Sequence, residues 1–259
     1  MKKIAYFLSS AFLASFLMIA CTSAQKESTA GQSGDTTAIT PNKLTSDEIA
    51  QGWQLLFDGE TLTGWKRFNH DTIGPLWSVR DGAIVCDGSG LGEGVGTNRG
   101  SLHTVKEFGN FDLVLDYKLS PGGNSGIIYH AIEDPKYEFD YETGPEFQLL
   151  DDSGWKGDLK DAQKAGSAYD MFPAPASKKL NPAGEWNTAR IVYRDGHVEH
   201  WLNGEKIIEY EENSADFNAR LKESKWKDYP DWGKSPTGVI SLQDHGAPVY
   251  FRNIKIRAL

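Results

Sequence analysis

Short apolar segments rich in Val, Ile, Tyr, Phe and Trp recur along most of this chain, each closed off within a few residues by Gly, Asn or Asp. Segments of that length and composition form strands, and a chain built from them must pair them into sheets. The pattern predicts strands at Trp77–Val79 and Ala83–Cys86 around the turn Arg80-Asp81-Gly82, then at Phe111–Leu119, Gly126–His130, Glu146–Leu150 and Thr188–Tyr193. His197–Leu202 and Lys206–Tyr210 flank Asn203-Gly204, a dipeptide that tolerates the positive φ angles of a type I′ hairpin. Gly238–Gln243 and Val249–Arg257 complete the set. Only Ser46–Gln51 and Ser214–Ser224 read as helical, the second with Phe217 and Leu221 on one side. Many strands with little helix imply a sandwich of two sheets.

The N-terminus is of another kind. Lys2 and Lys3 precede an apolar stretch, Ile4–Ala20, that ends at Cys21. This is the layout of a secretory signal peptide, and Leu17-Met18-Ile19-Ala20-Cys21 resembles a lipoprotein signal in which the Cys21 thiol is acylated. The 17 residues, interrupted by Ser9, Ser10 and Ser15, make a poor membrane span. From Thr22 to about Asp47 there is almost no large apolar residue, so this stretch cannot offset its ordering entropy and reads as a flexible tether. The expected organisation is a signal peptide over 1–20, a tether over 21–47 and one domain over 48–259. It places the protein in a bacterial cell envelope, touching the membrane only through its lipid. With Cys21 acylated, Cys86 has no partner, and the fold must stand without an intramolecular disulfide.

The 36 acidic residues outnumber 27 basic ones, for a net charge of -9. That balance repels nucleic acid and anionic headgroups and favours neutral partners. Gly92-Glu93-Gly94-Val95-Gly96 has no following helix to cradle a phosphate, and no G-x-S-x-G elbow or paired histidines at helical spacing occur. What remains is polar residues set inside strands. Glu146 and Gln148 share one face of their strand while Phe147 and Leu149 share the other; Gln243 and His245 fall together, and His200 stands opposite Trp201. Several such residues on neighbouring strands would make a polar floor for sugar hydroxyls. His103 and His130 read as structural or merely exposed, Asp151 and Asp152 as turn residues or, equally, as chemical groups, and Trp226, Tyr229 and Trp232 as either a lid or a packed loop.

Six ordered landmarks carry a resemblance: Leu56-Phe57-Asp58-Gly59 with Leu62-Thr63-Gly64-Trp65, Gly123-Asn124-Ser125-Gly126-Ile127, Glu146-Phe147-Gln148-Leu149-Leu150-Asp151, Gly184-Glu185-Trp186-Asn187, His200-Trp201-Leu202-Asn203-Gly204, and Leu242-Gln243-Asp244-His245-Gly246 followed by Phe251-Arg252-Asn253-Ile254. From Trp53 to Leu259 the chain resembles the 3-keto-disaccharide hydrolase family. The resemblance implies an all-β, concanavalin A-like (laminarinase-like) jelly roll and activity on 3-keto-glycosides as substrate. A ketone at carbon 3 acidifies the carbon 2 proton, so a base can remove it and the enolate can expel the aglycone, with rehydration giving net hydrolysis. The route needs a base, an enolate stabiliser and a proton donor, not the two carboxylates of an ordinary glycosidase. Glu146 and His245 are the expected catalytic pair, with Asn124, Gln148, His200 and Gln243 binding substrate. A divalent metal ion could polarise the ketone, with Glu146, His200 and His245 as ligands, although their spacing is no recognised metal motif. The competing reading is a non-catalytic, lectin-like module on the same fold.

Overall fold

The computed structural model describes residues 40–88 and 99–259. The signal peptide, Cys21, most of the tether and Gly92–Gly96 lie outside these residues. The strands are β1 (Gln54–Leu55), β2 (Trp65–Arg67), β3 (Trp77–Arg80), β4 (Ala83–Cys86), β5 (Leu102–Thr104), β6 (Phe111–Leu119), β7 (Asn124–Ala131), β8 (Glu146–Leu150), β9 (Asn187–Arg194), β10 (His197–Leu202), β11 (Glu205–Glu211), β12 (Val239–Leu242) and β13 (Val249–Ala258). Two α-helices, α1 (Ser46–Ala50) and α2 (Ala215–Glu223), and three single 3₁₀ turns are the only helical pieces among the described residues.

All strand pairs are antiparallel. An eight-stranded sheet runs β11-β10-β9-β6-β13-β4-β3 with β1 beside β13, and a five-stranded sheet runs β2-β5-β12-β7-β8. Three tight hairpins place an Asx-Gly pair at positive φ, Asp81-Gly82, Asp195-Gly196 and Asn203-Gly204, as the two central positions of type I′ turns require. The core between the sheets takes Leu113, Leu115 and Tyr117 of β6, Phe147 and Leu149 of β8, and Ile191 of β9. This is a concanavalin-like jelly-roll sandwich, as the sequence reading expected.

The packed part of the domain reaches further back than residue 48. The Asn42 backbone N–H donates to Asn253 Oδ1 at 2.7 Å, the Asn253 N–H donates to Asn42 Oδ1 at 2.8 Å, and Asn42 Nδ2 donates to the Gly82 carbonyl at 2.8 Å. Asn253 sits at positive φ where the β13 register shifts, so Asn42 supplies the partners that the bulge removes from the ladder. A single asparagine between Pro41 and Lys43 carries no strand or helix signal, which is why the segment reads as tether.

The aromatic run after α2 is packed. Trp226 and Trp232 stack at 5.0 Å and are 1 % and 4 % exposed. The stack continues through Phe217 to Tyr210 and Phe172. Cys86 is a free, buried thiol, whose pKa burial pushes well up.

Candidate active site

Parity along β8 decides where its side chains go. Phe147 and Leu149 enter the core, so Glu146 and Gln148 project from the outer face of the five-stranded sheet. Opposite them on β7 stand Ile128 and Gly126. A Cβ on Gly126 would lie 2.1 Å from Glu146 Oε1. The glycine therefore leaves the floor over which the carboxylate lies, and Asn124, two residues away, shares that face. The Gln243 N–H donates to the Gly126 carbonyl at 2.9 Å, extending the β12–β7 pairing so that Gln243 joins the same row.

His245 follows in the turn after β12. Asn124 Nδ2 lies 3.3 Å from His245 Nε2; the amide is the donor, so Nε2 carries the lone pair. Burial is the largest influence on the imidazole and lowers its pKa, reinforced by Arg99 and Lys225 and opposed by Asp244. The neutral ring is the favoured form. Asp244 is held by Arg99 through Nε at 3.1 Å and Nη2 at 2.8 Å, with both side chains buried, and it accepts the Gly246 N–H at 3.1 Å. This turn is fixed by charge-assisted hydrogen bonds. The Trp155 ring lies edge-on, 6.4 Å from that of His245.

Asn124, Glu146, Gln148, Gln243 and His245 line one cavity of about 30 Å³ with Tyr141, Tyr169 and Lys225. Glu146 is its only carboxylate among the described residues. Glu146 and Gln148 are 4 % and 2 % exposed, because Tyr141, Tyr169 and Lys225 cover a sheet face that sequence reading left open to water. Lys225 Nζ sits 4.6 Å from the Tyr169 ring and 4.2 Å from that of Trp226. Tyr141 and Lys225 lie in 3₁₀ turns and Tyr169 in a loop, and nothing in their local pattern marks them. Asn124 Oδ1 and Gln148 Oε1 are buried without a hydrogen-bond partner among the described residues. Buried acceptors left open cost stability unless a ligand supplies donors.

His200 does not join them. It lies on β10, in the other sheet, fully buried and 4.6 Å from the Phe147 ring on the core side of β8. Its Nδ1–H donates to the Gly166 carbonyl at 3.1 Å, and burial lowers its pKa to about 4. The reason is again parity, since His200 shares its face with Val198 and Leu202, both buried. Glu146, His200 and His245 therefore cannot converge on one ion. Among the described residues the one trio of close metal-ligating side chains is His197, Glu199 and Glu209, where Lys206 already pairs with both glutamates. His103 and His130 are structural: His103 Nδ1 bonds the Thr104 carbonyl and Nε2 contacts Glu133, while His130 Nε2 bonds the Gly109 carbonyl. Asp151 closes a turn on the Gly122 and Gly154 N–H groups, and Asp152 pairs with Lys178.

Comparison with known proteins places the whole folded domain in one family. A family model described as a 3-keto-alpha-glucoside-1,2-lyase-like domain matches residues 52–257. A 3-keto-disaccharide hydrolase of Bacteroides thetaiotaomicron is 33 % identical over 292 aligned positions covering 100 % of both chains. A crystal structure from Parabacteroides distasonis ATCC 8503, described provisionally as a glycosyl hydrolase, superposes with a TM-score of 0.78 at 44 % identity, covering 85 % of this chain and 100 % of the other. A second from the same organism, described in the same way, gives 0.60 at 29 % identity over 80 % of this chain and 99 % of its own. With a family match over residues 52–257 and a relative 33 % identical over the full length of both chains, the chain belongs to the 3-keto-alpha-glucoside-1,2-lyase-like family, a family of carbohydrate-active hydrolases and lyases.

Proposed function

We propose that this protein cleaves glycosides oxidised to a ketone at carbon 3, by removal of the carbon 2 proton and expulsion of the aglycone. The observation that carries the reading is one carboxylate, Glu146, sharing a cavity with a half-buried imidazole whose pKa is lowered. Hydrolysis of an unoxidised glycoside calls for two facing carboxylates; elimination needs a base, a proton donor and stabilisation of an enolate. The likeness to a 3-keto-disaccharide hydrolase supports the same substrate class.

In this reading His245 Nε2 takes the carbon 2 proton and the bonding pair becomes the enolate. Lys225 and the side-chain amides stabilise the enolate oxygen. The carbon 1–oxygen bond then breaks as Glu146 protonates the leaving oxygen, giving an unsaturated keto sugar and an alcohol. Water added across the double bond, with the two groups in exchanged roles, completes net hydrolysis. Asn124, Gln148 and Gln243 hold the ring hydroxyls. No step is assigned to a metal.

The test is mass spectrometry on matched glucosides with and without the 3-ketone, run in heavy water. Release of aglycone from the oxidised member alone, with deuterium at carbon 2 of the product, is expected. Full retention of the original proton would defeat the elimination route, and binding of both sugars without turnover would make the protein a lectin. Export and acylation at Cys21 are part of the same proposal: Cys21→Ala should abolish incorporation of labelled fatty acid, and persistent labelling would remove the anchor.

A further inference from the structure

The cavity at Glu146 and His245, about 30 Å³, has room for about one or two waters. In so small a space a side chain misplaced by about 1 Å can cost about a hundredfold in rate, so what holds the roof matters as much as what lies on the floor. The Tyr169 wall is tied to the floor strand itself. Residues 166–169 run beside β8: the Gly166 N–H donates to the Gln148 carbonyl at 2.8 Å, the Gln148 N–H to the Ser167 carbonyl at 3.0 Å, and the Tyr169 N–H to the Glu146 carbonyl at 3.0 Å. Lys225 opens a 3₁₀ turn far along the chain. It is exposed, and its ammonium lies over the rings of Tyr141, Tyr169 and Trp226 at 5.1, 4.6 and 4.2 Å.

Asp170 joins the two segments. Its backbone sits at φ 58°, which glycine adopts without strain and which few other residues tolerate. Its side chain is 5 % exposed. Oδ2 accepts the Lys225 N–H at 2.8 Å, and Oδ1 accepts from the Lys160 ammonium at 3.3 Å. Next to this contact the Trp226 Nε1–H donates to the Tyr169 carbonyl at 2.7 Å. Two adjacent residues, Tyr169 and Asp170, therefore grip two others, Lys225 and Trp226, with 55 positions between Asp170 and Lys225.

We propose that Asp170 is a positioning residue of this site: its carboxylate fixes Lys225 over the cavity, and with it the charge that His245 meets there. The consequence for rate rests on the cleavage reading above. Glycine at this φ would make the turn without strain; the carboxylate adds a charged acceptor for the Lys225 N–H. The charged groups around His245 among the described residues are Asp244 beside it, Arg99, Lys225 and, across the cavity, Glu146. Burial lowers the imidazole pKa most, Arg99 and Lys225 add to that, and Asp244 opposes them. With Lys225 displaced, one repulsion of the imidazolium is gone and the pKa rises. His245 must be neutral to take a proton, so the acid limb of kcat/KM moves to higher pH.

The test uses the full chain and compares wild type with Asp170→Gly, Asp170→Asn, Lys225→Met and the double variant of Asp170→Gly with Lys225→Met. The glycine keeps the backbone angle and removes the carboxylate; the asparagine keeps an acceptor. Asp170→Gly should lower kcat for a 3-keto-glucoside about ten- to a hundredfold, while Asp170→Asn keeps most of it. Proton NMR should show His245 titrating at higher pH in Asp170→Gly and in Lys225→Met, with no further rise in the double variant. An unchanged His245 titration in Asp170→Gly, a further rise in the double variant, or a rate in Asp170→Asn as low as in Asp170→Gly would overturn the proposal. Failure of Asp170→Gly to fold would make Asp170 a structural residue and overturn it as well. If the wild type turns over no 3-keto-glucoside, the cleavage reading fails by itself, and the titrations, which need no substrate, still decide what Asp170 does.

Discussion

The outer faces of the two sheets are both polar, yet they treat polar groups in opposite ways. On the eight-stranded sheet Asp112 of β6, 1 % exposed, is gripped by Arg190 of β9 through Nε at 2.7 Å and Nη2 at 3.0 Å, and by Arg257 of β13 at 2.7 Å. Nearby, Asp116 accepts from Thr188 at 2.7 Å and Asn253 at 2.6 Å. Charge meets countercharge across adjacent strands, and the face is self-sufficient. On the five-stranded sheet Asn124 and Gln148 keep open acceptors under a cover of loops. A sheet face that closes its own hydrogen bonds supports the fold; one that leaves them open is built for something that is not protein.

Substitutions should separate the two faces. The largest effect falls on the open one: Glu146→Gln and His245→Ala should each cut turnover of a 3-keto-glucoside by roughly 10² to 10⁴-fold, the usual scale of positioned proton transfer. Circular dichroism and thermal melting should change little. Near-normal rates in both variants would end the assignment. Gly126→Ala belongs with them, because its methyl would occupy the space of the Glu146 carboxylate, and an Ala variant with wild-type kcat would show that the carboxylate is not held there for chemistry.

Next comes the closed face. Asp112→Ala removes charge-assisted hydrogen bonds to two partly exposed arginines and should cost about 1.5 to 3 kcal/mol in a urea titration, with kcat of the protein that remains folded unaltered. Loss of turnover without loss of stability would reverse the roles given to the two faces.

An effect confined to acid pH distinguishes the histidines. His200 and His130 have pKa values near 4 in the folded state, against 6.5 unperturbed, so the unfolded chain binds the extra protons first. Stability is fully present above pH 6.5 and declines as pH falls towards 4, by roughly 3 kcal/mol for each ring. Glu212, raised to about 7 by burial, works the other way and loses its contribution as pH rises from 4.5 to 7. His200→Phe should flatten the acid slope of chemical denaturation relative to wild type while leaving the pH profile of kcat/KM in place; an unchanged slope would mean that His200 is not buried neutral. The smallest expected effect is none at all: with Cys86 alone and buried, reducing agent should not shift the melting temperature of the domain from residue 40 onward.

Much was legible in advance. Ten of the thirteen strands fall on segments the sequence marks, while β1, β2 and β5, of two or three residues, are too short to show a pattern; the Asx-Gly turns fall where positive φ is needed, since they depend on neighbours in sequence. Alternation in β8 put Glu146 and Gln148 on one face, and the same rule applied to Val198 and Leu202 would have sent His200 to the core. That rule shows which residues share a face. It does not show which sheet a strand joins, and β10 pairs into one sheet while β8 pairs into the other.

The chain by itself therefore determined ten of the thirteen strands, their turns and the shared face of Glu146 and Gln148, all properties of residues a few positions apart. The tertiary structure decided the rest: that Tyr141, Tyr169 and Lys225 roof the site, that Asn42 reaches 211 positions along the chain to clasp Asn253, and that His200 packs on Phe147. Such contacts are set by how two sheets and their loops fill one volume, and sequence periodicity carries no record of distance between residues so far apart.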